Sequence, residues 1–169
     1  FSARQDFTLP SAGSGTVADL DGDGKPEVMS LNYTGNLLYV SRNATTAIGS
    51  ITFSAAQSYA TAGGPANVIA RDFDGDGKRD LALTNYSGTG ANTVYVYGNT
   101  TTAVGTITMA SPVVLATGSL PNGIISADID GDNKPDLIAA NYTGATISVF
   151  RNTSIIGSLS FSSQVTFAT

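Results

Sequence analysis

The sequence predicts an all-β protein built from propeller-type blades. Three observations predict this. A unit recurs three times, at steps of 53 and 56 residues. Each unit holds four short runs of strand character. No segment keeps a helical period. Four antiparallel strands in a repeat of this length make the blade of a β-propeller.

The elements follow in order. In the middle unit the first run is Asn67 to Asp72, leading into an acidic window. The second is Leu81 to Asn85, the third Thr93 to Tyr97 and the fourth Thr106 to Leu115. Alternation is clearest in the third run of the last unit, where Ile147 and Val149 share one face. The second run there, Leu137 to Ala140, is apolar on both faces, as a central strand covered on both sides requires. Gly and Asn mark the joints, where tight turns need them. The units span about residues 10–60, 61–116 and 117–169 of a single repeat domain over 1–169.

The strands do not count evenly. The opening FSARQDFTL resembles a fourth run, and the chain also ends on one, FSSQVTFA. Residues 1–9 are therefore a surplus strand, and a lone edge strand seeks a partner. The expectation is that it completes a blade in a neighbouring copy, or that the chain is cut from a longer array. Beginning at Phe1 rather than Met, it reads as a processed or excised piece.

Composition narrows the function. Only 12% of the residues are charged and the net charge is −5, so nothing could track nucleic-acid phosphates. There is no Cys and no His, which removes disulfides, thiolate metal sites and the usual general base. No apolar run approaches the roughly 20 residues of a membrane-spanning helix. Low charge with much Ser, Thr and Gly suits an extracellular β-rich protein, secreted or at the cell surface.

The carboxylates are concentrated. Of 13 acidic residues, 12 lie in DLDGDGKPE from Asp19, DFDGDGKRD from Asp72 and DIDGDNKPD from Asp128. Like charges about 4 Å apart repel by roughly 1 kcal/mol in water and by more in a less polar setting. Four in nine residues therefore call for a cation. Calcium takes six to eight hard oxygens in flexible geometry, whereas magnesium demands a stricter octahedron. The spacing assigns one calcium ion to each repeat, about three in all. The first site is Asp19, Asp21, Asp23 and Glu27; the second is Asp72, Asp74, Asp76 and Asp80; the third is Asp128, Asp130, Asp132 and Asp136. Gly24 and Gly77 stand at loop position 6, where a left-handed backbone is expected, and Asn133 is the best substitute there.

The order of acidic loop, DL, ANY and SVFRNT resembles the FG-GAP/VCBS repeat family, whose members include the propeller of integrin α chains and many bacterial surface proteins. The resemblance covers the whole chain in three copies. The chain departs from the pattern at Glu27, in place of the last Asp, and at Asn133, in place of a Gly. It implies that the backbone carbonyls of Lys25, Lys78 and Lys134 complete the calcium sites.

Six Asn-x-Ser/Thr sequons, at Asn32, Asn43, Asn85, Asn99, Asn141 and Asn152, fall at two equivalent places per repeat. They are candidate glycosylation sites; equally, Asn shapes strand ends and Thr suits strands. Tyr33, Tyr86 and Tyr142 occupy matching positions; they suit packing between blades or stacking on sugar rings. Two functions compete. One is a non-enzymatic, calcium-rigidified structural or adhesive module, self-associating through an end strand or joined to other surface proteins. The other is a carbohydrate-binding module of a secreted protein. Catalysis has little to work with, because nearly every carboxylate sits in a metal loop.

Overall fold

The computed structural model describes residues 6–7 and 13–169. Among them there is no helix, and twelve strands form three separate four-stranded antiparallel sheets, none of them closed. The first sheet is β1 (Gly15–Ala18), β2 (Glu27–Asn32), β3 (Leu37–Ser41) and β4 (Gln57–Ala60). The second is β5 (Pro65–Arg71), β6 (Asp80–Asn85), β7 (Thr93–Tyr97) and β8 (Val113–Ala116). The third is β9 (Pro121–Ala127), β10 (Asp136–Asn141), β11 (Thr146–Phe150) and β12 (Val165–Ala168). In each sheet the strands lie in chain order, as in a propeller-type blade. The surplus strand expected over residues 1–9 lies outside the described residues except for Asp6 and Phe7; Phe7 sets its ring edge-on to Phe53 at 5.2 Å.

The fourth runs differ from expectation. Thr106 to Leu115 is not one strand; β8 covers only Val113–Ala116. The preceding residues pair instead as a small hairpin, Asn99 opposite Met109 and Thr100 N–H donating to Thr108 O at 2.9 Å. Asn43 with Phe53 and Asn152 with Phe161 repeat the arrangement. The cause lies at the Asn, whose backbone amide turns away from the ladder to a buried carboxylate, described below.

The sheets pack face to face, with the first strands β1, β5 and β9 side by side. Period-2 alternation decides which residue meets which neighbour. On β6, Leu81 and Leu83 join Leu20, Met29, Leu31 and Leu38 in the core between the first and second sheets. Ala82 points the other way and joins Phe73, Val94, Ile124 and Leu137 in the core between the second and third. Every residue of β6 is therefore buried. In β10, the run expected to be covered on both sides, Leu137 and Ala139 are buried but Ile138 is half-buried and Ala140 exposed, because no further sheet covers that face among the described residues. Edge-on contact of Phe73 with Phe161, at 5.8 Å, closes the second interface.

The third sheet's far face has no such neighbour among the described residues. Ile125, Ile129, Val165 and Phe167 are 51–63% exposed there. Their counterparts Phe73 and Leu115, in the sheet before, are buried.

Leu83→Ala should therefore cost about 2–5 kcal/mol, as buried leucines do. Ile125→Ala should stay within about 0.5 kcal/mol. Urea unfolding of the two variants separates them; equal losses would contradict the packing described.

Candidate metal centre

Each acidic window is the loop joining the first strand of a sheet to the second. Its own side chains fold it. Asp19 Oδ1 accepts from Gly22 N–H and Oδ2 from Gly24 N–H, both at 2.8 Å. Asp72 repeats this with Gly75 and Gly77, at 2.7 and 2.9 Å. Asp128 does so with Gly131 and Asn133, at 2.8 and 2.9 Å. Position 6 is left-handed in all three, with φ of 81° at Gly24, 87° at Gly77 and 66° at Asn133. Asn tolerates that backbone better than other side chains, so the third loop keeps the same turn.

The ninth position is the anchor. Glu27, Asp80 and Asp136 are at most 2% exposed. Asp80 accepts from Phe73 N–H at 2.9 Å and from Asn99 N–H at 2.8 Å. Asp136 accepts from Ile129 at 2.9 Å and Asn152 at 2.8 Å. Glu27 reaches Leu20 at 2.6 Å and Asn43 at 3.3 Å, so the longer side chain fills the same role with one weaker bond. One carboxylate thus ties its loop to the end of the third strand in its own sheet.

Three groups of carboxylates converge, with ligand-capable oxygens within 4.8 Å of one another: Asp19, Asp21 and Glu27; Asp72, Asp74 and Asp80; Asp128, Asp130 and Asp136. Positions 1, 3 and 9 of each loop come together. Position 5 does not join them. Asp23 pairs with Lys25 Nζ at 3.3 Å and with Arg42, Asp76 with Lys78 Nζ at 3.0 Å, and Asp132 with Arg151. The backbone amides of Lys25, Lys78 and Lys134 donate to the position-5 carboxylates at 2.8–3.0 Å. The ligand role of their carbonyls rests on the family resemblance.

The donors suit a hard cation. All are carboxylate oxygens, which fit calcium, and no His or Cys is present for a softer metal. Burial and mutual repulsion both act on these carboxylates. Burial above all pushes the Asp80 carboxyl up to about 6, against the Asn99 and Phe73 amides that hold it down; Asp74 and Asp76 raise it further. Burial likewise raises Asp74 and Glu27. Burial also acts to raise Asp21, but the Arg42 guanidinium and the Gly105 and Asp23 amides outweigh it and hold that carboxyl below the usual range. Arg151 lowers Asp130 in the same way.

Four of the six sequon asparagines are buried in hydrogen-bond networks. Asn99 Oδ1 accepts from Thr101 N–H at 3.0 Å, while its Nδ2 donates to Arg79 O at 3.0 Å and, in the preceding sheet, to Leu20 O at 2.8 Å. Asn152 makes the matching bonds to Ser154 N–H, Pro135 O and Phe73 O. The Thr or Ser two residues on accepts an amide across the small hairpin: Thr108 N–H to Thr101 and Ser160 N–H to Ser154. Asn85 and Asn141 donate to Thr93 and Thr146 at the ends of their strand pairs. Asn85, Asn99, Asn141 and Asn152 are at most 5% exposed. A sugar on any of these four Nδ2 atoms would break such a bond, so their burial favours the strand-end role of Asn over that of a glycan acceptor. Only Asn32 and Asn43 are partly exposed. The sequence did carry a clue, since Asn-x-Ser/Thr recurs at the same point of each repeat. Tyr33 is an inter-sheet residue: its hydroxyl shares a 2.6 Å hydrogen bond with that of Ser87.

Because Asp80 titrates near 6 in the folded chain against 3.8 ordinarily, the folded chain holds an extra proton between those values. Ion-free protein should therefore gain stability, by up to about 3 kcal/mol, as pH falls from 7 towards 4. Denaturant titrations in excess chelator at pH 7, 6, 5 and 4 check this. A steady loss of stability over that range would contradict the burial assigned to Asp80.

No curated protein and no solved structure matches the chain significantly. A family model, the FG-GAP-like repeat, matches residues 19–83 and again residues 72–139. Each match starts on the first Asp of an acidic loop and runs on into the second strand of the following sheet. Spanning most of the chain and starting on the loops just described, these matches place the protein in the FG-GAP-like repeat family.

Proposed function

We propose that the chain is a calcium-binding, non-enzymatic repeat module of an extracellular structural or adhesive protein. The observation that carries this reading is the threefold convergence of carboxylates 1, 3 and 9 around a buried anchor. When bound, calcium would neutralise carboxylates that otherwise repel and are desolvated. The residues that would hold it are Asp19, Asp21 and Glu27 in the first loop, with the equivalents in the other two. Calcium at the levels found outside cells suits modules of roughly 10⁻⁴–10⁻³ M affinity, and binding to the folded form alone stabilises it by mass action. Among the described residues no helix is long and apolar enough to cross a membrane.

Support for the carbohydrate reading is thinner. Tyr33 is engaged with Ser87, and Tyr142, its counterpart in the third sheet, is 73% exposed where no further sheet follows among the described residues. That position and the bare face of Ile125, Ile129 and Phe167 instead favour a further sheet of the same kind. A second copy of the chain is the partner we infer for it. Sedimentation at rising concentration should show association that Ile125→Asp abolishes; a monomer at every concentration would sink this inference.

The metal reading is tested by thermal unfolding. Calcium should raise the Tm. Asp74→Ala should lower the Tm in calcium and leave it little changed in excess chelator, because among the described residues no cation bonds Asp74 and burial disfavours its charge. An equal loss in both conditions would make the loops mere turns.

A further inference from the structure

The three acidic loops are not equivalent, and the difference lies outside them. The residue before the kinking Asn is Arg42 in the first sheet, Gly98 in the second and Arg151 in the third. Arg42 Nε donates to Asp21 Oδ2 at 2.5 Å and Nη2 to Asp23 Oδ2 at 2.8 Å. Arg151 Nε donates to Asp130 Oδ2, and Nη2 to Asp132 Oδ2 at 3.1 Å. Each guanidinium bridges the third and fifth carboxylates of its loop. Among the described residues the middle loop has no such bridge. Gly98 offers no side chain, and Leu159 of the third sheet fills the space, 3.3 Å from where a Cβ would stand. Among the described residues, Asp76 pairs with Lys78 alone and no cation bonds Asp74.

We propose that Arg42 and Arg151 are built-in counter-ions that compete with calcium for the third carboxylate of their loops while neutralising the fifth beside it, so that the middle loop fills first and holds its ion most tightly. This rests on the reading of the loops as calcium sites. An arginine keeps its charge at any working pH, so it lowers the field that draws in a divalent ion and must be shifted or tolerated when the ion arrives. The two arginines also differ from each other. The Arg42 side chain is 24% exposed and lies against the second sheet, where Gly105 N–H also donates to Asp21 Oδ2, at 2.8 Å. The Arg151 side chain is 56% exposed. Arg151 is the easier to displace. The order of filling is therefore middle, third, first.

The experiment is a calcium titration of the full chain, first stripped with chelator, followed by the backbone amide resonances of Gly24, Gly77 and Asn133, one in each loop. In the unaltered chain Gly77 should respond at the lowest calcium, then Asn133, then Gly24. Arg151→Gln should tighten the third site on the order of tenfold and leave Gly77 unmoved; Arg42→Gln should do the same for Gly24. The inference is overturned if Gly77 does not respond first, or if Arg151→Gln leaves the third site unchanged or weaker, as it would if the arginine oriented the carboxylates for the ion. Absence of any response to calcium in the unaltered chain would remove the metal reading itself.

Discussion

A single buried carboxylate, repeated three times, holds this architecture together. Glu27, Asp80 and Asp136 each accept one amide from their own loop and one from the Asn that ends the third strand. The first bond closes the loop. The second bends the third strand and sends it into the small hairpin. In the second and third sheets the same Asn then reaches back to a carbonyl of the sheet before, Leu20 or Phe73. Loop, strand kink and inter-sheet contact are thus one connected network. Its members are mostly buried, so a missing partner would cost the full desolvation of what remains.

That network explains why the acidic loops are tolerable at all. A buried carboxylate ringed by others is unfavourable unless hydrogen bonds and positive charge compensate it. Among the described residues, backbone amides meet the carboxylates of all three loops and a guanidinium those of two. Structural and ion-binding demands therefore fall on the same residues. Position 1 turns the loop, position 9 anchors it, and both stand ready for an ion. An isolated turn needs none of this.

Much of it was legible in the sequence. The repeat length and the four runs gave the sheets; the apolar run Leu137 to Ala140 pointed to cover on both faces, which the middle sheet's β6 has in full and β10 lacks at Ala140. The acidic spacing picked out the loops. What could not be read was pairing at a distance. The fourth runs look continuous because Thr, Val and Ile suit strands, yet the amide of Asn99 leaves the ladder for Asp80, a partner 19 residues away. The sequons look like glycan sites because their grammar is the same; only burial shows Asn99 and Asn152 to be tethers. The arginine bridges were hidden for the same reason, since Arg42 lies 21 residues from Asp21.

The most direct measurement is native mass spectrometry of the chain in calcium. If the anchored carboxylate loops are ion sites, each copy of the 17.2 kDa chain should carry three calcium ions, and chelator should remove them. A bare chain at millimolar calcium would contradict the account, and the buried carboxylates would then be anchors of a turn and nothing more.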